Sequence, residues 1–298
     1  MTGTETPERV ERHHVDAPLA TPAPKAGLVE VLRRRYLLRL LVRREVSARY
    51  QQSVLGFLWS YINPLSQLFI FWFVMGIIVG RGTENFAIHV FCGLIVVHFF
   101  TETFGAGTRS IVRNKSLVKK MAVPREMFPV ASMLVSMYHI GPQLLVLTVV
   151  CLFLGWTPDP VAMLGFLLAL AIIAVLGTAL ALMFSAANVF FRDVGSIVGI
   201  LTNFVRFGVP MIYPFTLVEE RFGDFAKYYL MNPVADAVLL VQDAFWVGTT
   251  DDPAATRATH IPDHLFTYGG IALGVSLVLL VLGQLVFSRL ENKIPERL

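Results

Sequence analysis

Seven arginines crowd into residues 33–49 (Arg33, Arg34, Arg35, Arg39, Arg43, Arg44 and Arg49), and residues 51–80, which follow, carry no charge at all. An α-helix rises about 1.5 Å per residue, so roughly 20 apolar residues cross the hydrocarbon of a bilayer. Residues 57–80 are therefore long enough to span with some tilt. Basic residues flanking a span hold that end in the cytoplasm. Such a start fits a multi-pass membrane protein whose chain enters the bilayer from the inside. Composition agrees: 55% of residues are hydrophobic and 15% charged, and a soluble surface needs more charge than that. The net charge of +4 is not a nucleic-acid signal, because the positive residues sit at segment ends, where they meet anionic lipid head groups.

Six spans are predicted, over residues 57–80, 86–108, 128–155, 161–187, 194–212 and 265–288. Lysine and arginine in the connections test the topology. Arg109, Arg113, Lys115, Lys119, Lys120 and Arg125 lie between spans two and three, Arg192 after span four, and Arg289, Lys293 and Arg297 after span six. All fall on the side of the N-terminal cluster, whereas the opposite side has Arg81, Arg221, Lys227 and Arg257 and an acidic last loop. Six crossings with both termini cytoplasmic fit every loop. Residues 1–27 are polar and proline-rich, lack the apolar core of a signal peptide, and read as a disordered cytoplasmic tail before a membrane domain over 28–298.

Two segments are not simple spans. In residues 28–52, Arg35, Arg39 and Arg43 recur every four residues with Leu37, Leu40 and Leu41 roughly opposite, which suits an interfacial helix. Residues 213–264 contain an apolar run, 235–247, too short to cross. Either short helices dip into the membrane and return, covered by protein, or a helix lies flat on the outer surface.

No residues suggest catalysis. There is no Ser/His/Asp arrangement in a recognisable context, no carboxylate pair at a spacing that suggests acid–base work and no phosphate-binding G-x-x-x-x-G-K-[ST] loop, so any ATP-driven role needs a second polypeptide. Cys92 and Cys151 lie in apolar runs without metal-ligand spacing and read as buried thiols. Polar residues inside the spans are His89, His98, Glu102, His139, Asn203 and Arg206. Glu102, near the inner end of its span, reads as an interfacial anchor and the histidines as packing residues. Arg206, past the middle of span five, either snorkels outward or pairs with a carboxylate, or else faces a polar pathway or an anionic substrate. The aromatics of span one, among them Trp59, Tyr61, Phe69 and Trp72, either face lipid or line a path along which sugar rings slide, with Tyr213 extending it outward.

Several ordered motifs resemble those of one family. Residues 44–59, Arg44-Glu45-Val46-Ser47-Ala48-Arg49-Tyr50-Gln51-Gln52-Ser53-Val54-Leu55-Gly56-Phe57-Leu58-Trp59, are similar to the R-D-x-x-x-R-Y-x-x-S-x-L-G-x-x-W that opens the first span of ABC-2 type exporter permeases, the Wzm-type class that exports O-antigen, teichoic acid and galactan; Glu45 replaces the usual aspartate. Pro124-Arg125-Glu126-Met127-Phe128-Pro129, Phe191-Arg192-Asp193-Val194, Pro210-Met211-Ile212-Tyr213 and Asn232-Pro233 match further family motifs, over residues 30–290 in all. The resemblance implies an all-α homodimer of six-span subunits in the bacterial inner membrane, bound to two ATPase subunits that hold ATP and magnesium, with no cofactor on this chain. The implied cargo is a lipid-pyrophosphate-linked polysaccharide. By the same resemblance, Arg113, Lys115, Lys119, Lys120, Pro124, Arg125 and Glu126 would form the coupling segment. Arg39, Arg43, Arg44, Arg49 and Tyr50 would form the interface helix and head-group entrance, and Trp59, Tyr61, Phe69, Trp72, Arg206 and Tyr213 the path. A permease for a small hydrophobic drug or lipid, and a membrane transferase acting on a lipid-linked sugar, are the competing readings.

Overall fold

The computed structural model describes residues 27–50, 55–79, 84–120 and 123–298. The expected tail, motif residues 51–54 and Arg81 lie outside the described residues, as does the side chain of Tyr50. Among the described residues all regular structure is helical. α1 (Gly27–Arg33) and α2 (Arg35–Tyr50) precede a 3-10 turn and α3 (Trp59–Phe71), which continues as a π-helix through Val79. α4 (Phe86–Arg113), the short α5 (Lys115–Lys120), α6 (Met127–Phe153), α7 (Pro160–Phe190) and α8 (Val194–Gly208) follow. α9 (Phe215–Phe222), α10 (Ala226–Tyr229), α11 (Pro233–Val241) and α12 (Pro253–His260) lead to α13 (Leu265–Leu290) and the final α14 (Ile294–Arg297).

Among the described residues, five stretches are long and apolar enough to cross a membrane: Gly56–Val74, Phe86–Arg113, Met127–Phe153, Pro160–Phe190 and Leu265–Lys293. The expected fifth span over 194–212 is shorter than predicted. α8 has 15 residues, about 22 Å at the helical rise, against a hydrocarbon core of about 30 Å. It stops because Val209 precedes Pro210. The proline ring disfavours helical geometry in the residue before it, and Val209 is extended (φ −116°, ψ 155°). Arg206, expected past the middle of that span, consequently sits in the last turn of α8.

α4, α7 and α13 form the core, and small residues bring them together. A Cβ on Gly107 of α4 would stand 2.4 Å from the Ala181 Cβ of α7, and one on Gly283 of α13 would stand 2.6 Å from the Ala179 carbonyl oxygen. α11 is buried along Val234–Val241 against α4, α7 and α13, so it dips between the spans instead of lying on a surface.

Three Asx-Pro pairs start helices the same way. Asn232, Asp159 and Asp252 accept from Val234 (3.1 Å), Val161 (2.9 Å) and Ala255 (3.0 Å), with proline at the first helical position, where its missing N–H costs nothing. These caps sit at one end of the bundle, where Arg257 ties α12 to the rest. Its Nε donates to Asp243 (2.7 Å) and its Nη2 to Asp159 (2.9 Å). The Val161 N–H first, and Arg257 after it, hold Asp159 below the usual carboxylate range, whereas burial pushes Asp243 up against the pull of Arg257. Arg257→Gln leaves Asp243 buried beside a neutral group. Because Arg257 is 41% exposed, the expected loss is about 1–2 kcal/mol, read as a lower thermal midpoint of the purified protein.

Candidate functional site

A polar cavity of about 550 Å³ opens between α3, α4, α6 and α8. Each helix contributes a pair of polar side chains four residues apart, hence on one face: Asn63 and Gln67 from α3, His98 and Glu102 from α4, His139 and Gln143 from α6, Thr202 and Arg206 from α8. Ser60 and Thr101 add hydroxyls beside them, and Trp59, at the first position of α3, and Arg49, in the last turn of α2, also line the cavity.

Arg49, Glu102 and His139 form its densest contact. His139 Nδ1 lies 2.9 Å from Glu102 Oε1 and 2.7 Å from Arg49 Nη1, and Arg49 also pairs directly with Glu102. The Nδ1 atom serves one neighbour at a time: protonated it donates to Glu102, bare it accepts from Arg49. The site is graded in depth, with the His139 side chain 7% exposed, Glu102 26% and Arg49 54%. Glu102 is thus a member of a three-helix cluster and not a plain interfacial anchor, and His139 is more than packing.

The same three residues line a second cavity of about 470 Å³ that runs toward the end of the bundle carrying the basic residues. Arg113 donates to Glu45 there (2.5 Å), Asn114 to Glu45 (3.3 Å) and Arg44 to Asn114 (3.5 Å). The motif acid Glu45 therefore fastens α2 to the end of α4. The two cavities adjoin at Arg49, Glu102 and His139, which line both.

Residues singled out from sequence divide accordingly. Arg49, Trp59 and Arg206 line the main cavity, and Arg44 and Arg113 line the second. Arg39 and Arg43 face outward on α2. Tyr61 packs edge-on against Phe57, Phe69 groups with Trp72 and Phe73 on an exposed face, and the Tyr213 hydroxyl meets that of Tyr229 at 3.0 Å. None of these four expected path residues lines the cavity; polar side chains do. On α5, Lys115, Lys119 and Lys120 are exposed while Val118 is buried. Pro124 and Glu126 are buried: Glu126 accepts from Gln284 of α13 (3.0 Å), and Arg125 caps the end of α13 by donating to the Glu291 carbonyl. The Pro124–Pro129 corner thus fastens the start of α6 to the last span. Among the described residues no group of three or more His, Cys, Asp or Glu side chains is placed to hold a metal ion.

Span-length apolar helices packed around two adjoining polar cavities have the build of a membrane permease. Residues 36–245 match the family model described as ABC-2 type transporter, and the chain belongs to that family, as a permease subunit whose ATP hydrolysis resides on a separate ATPase subunit. It is 26% identical over 261 residues to an O-antigen export system permease protein, RfbA, of Klebsiella pneumoniae, covering 87% of this chain and 94% of that protein. An RfbA of Myxococcus xanthus is 27% identical over 217 residues, 73% of this chain and 83% of the other. The polysialic acid transport protein KpsM of Escherichia coli is 22% identical over 211 residues, 70% and 80% respectively.

Proposed function

We propose that this chain is the membrane subunit of an ATP-driven exporter of a lipid-linked polysaccharide across the bacterial inner membrane. The observation that carries the reading is the polar cavity, whose amide, hydroxyl and imidazole groups suit a hydroxyl-rich polymer passing without a fixed register. A hydrophobic drug would favour an apolar lining. The relatives named above as O-antigen and polysialic acid transporters support the same cargo class.

In this reading two copies assemble with two ATPase subunits, which carry ATP and magnesium. The exposed lysines of α5 and the outer arginines of α2 face the ATPases, since a short basic segment pairs with acidic groups on a partner. Both chain ends then lie in the cytoplasm. Arg43, Arg44 and Arg49 stand at the entrance for the anionic lipid–pyrophosphate end. Depleting the chain removes the surface glycan and leaves drug tolerance unchanged; the opposite pattern contradicts the reading. Reporter tags on the two ends test the topology, and tags reporting opposite faces overturn it.

A further inference from the structure

The cavity charge does not balance. Arg49 and Arg206 bring two guanidiniums, Glu102 brings one carboxylate, and no carboxylate pairs with Arg206 among the described residues. Charge between membrane spans is costly unless compensated. An excess of arginine with fixed amide and imidazole neighbours is a site that takes an anion, and guanidinium forks match phosphate oxygens in pairs. The better placed arginine is already engaged: Arg49 is held by Glu102, yet it lines the cavity and its side chain remains 54% exposed.

We infer that Glu102 is a built-in competitor for the cargo's phosphate group, held against Arg49 by the contact with His139 and displaced when a phosphate-bearing cargo enters the cavity. This deepens the proposed function and rests on it for the identity of the cargo. The carboxylate makes Arg49 selective: a neutral sugar or hydrocarbon cannot release the pair, and a multiply charged phosphate can. The exchange also reports occupancy. Arg49 is in the last turn of α2, whose body packs on α6 and whose Glu45 holds the end of α4 through Arg113 and Asn114. Releasing Arg49 from Glu102 and His139 frees that end of the interface helix.

The test is binding of radiolabelled farnesyl pyrophosphate to the purified permease–ATPase complex, with inorganic pyrophosphate and farnesol as competitors. Glu102→Gln keeps the shape and removes the competing charge, so affinity for the probe rises up to about fivefold, as expected for a lost competitor worth about one partly exposed ion pair. Arg49→Gln abolishes binding, and the Glu102→Gln/Arg49→Gln double variant behaves like Arg49→Gln. Competition by inorganic pyrophosphate as strong as that by unlabelled probe assigns the site to free phosphate, and weaker competition assigns it to a lipid head group; both sustain the exchange. No binding to wild type, competition by farnesol, or unchanged or weaker binding by Glu102→Gln overturns it. A scaffold residue gives that last result. If Glu102→Gln does not assemble, Glu102→Asp serves, since its retracted carboxylate holds Arg49 less closely and raises affinity by less; an unchanged or lower value overturns the inference. Surface glycan in cells lacking the chain reports separately on the proposed function, so its persistence alongside a positive binding series discards the cargo and keeps the anion exchange.

Discussion

Arg49→Ala cuts export of surface glycan by at least about tenfold while the permease still reaches the membrane and still co-purifies with its ATPase. Arg49 is the α2 residue shared by both cavities and the one that touches α4 and α6 through Glu102 and His139. Its loss removes the guanidinium where the two cavities adjoin and leaves Glu102 as a partly buried carboxylate facing the cargo. A like-charge encounter at that depth is expected to cost at least about 1.4 kcal/mol, a factor of about ten in export rate. The three arginines once grouped together separate in the same assay. Arg44→Ala, in the second cavity with a long contact to Asn114, gives a smaller loss, and Arg43→Ala, outward on α2, the smallest. Equal losses from all three would place their role in general surface charge.

Gly107→Leu prevents assembly altogether. The position faces Ala181 so closely that even a methyl group meets it at 2.4 Å, and α4 and α7 are among the most extensively packed pair of helices. Rigid cores accommodate added methylenes poorly, at about 3 kcal/mol or more where the neighbour is itself fixed in a helix. Here relief requires moving α7 away from α4, which would open the whole core. The expected outcome is loss of the monodisperse peak in size-exclusion chromatography and rapid degradation in cells. Gly199→Leu on α8, where a Cβ meets nothing within 4 Å, is the control and retains a normal profile.

Long, uncharged runs made the major helices legible from sequence, because span length and helical rise leave little choice. The arginine cluster likewise announced α2. The end of α8 was readable too: Val209-Pro210 forbids continuation, and apolar content beyond it concealed the break. The cavity was encoded and overlooked. Asn63/Gln67, His98/Glu102, His139/Gln143 and Thr202/Arg206 are polar pairs at the spacing that puts both members on one helical face. Taken singly, Glu102 and His139 are an anchor and a packing residue; taken as pairs, four helices each turn a polar face to one place. Which helices share that place is a matter of tertiary packing, and so is the alliance of Glu102 with His139, thirty-seven residues apart. The aromatics show the other side of the same helix: Phe69 and Trp72 stand out by size, and α3 and its continuation leave them exposed, away from the polar face that Asn63 and Gln67 define.

The central claim is that the glycan travels through the cavity between α3, α4, α6 and α8. A photoreactive amino acid placed at Gln143, within the cavity, and separately at Leu145, exposed on the outer side of the same helix, tests it in actively exporting cells. Ultraviolet crosslinking to glycan at position 143 and none at 145 is the predicted result. Crosslinking at 145 alone, or equally at both, would contradict it.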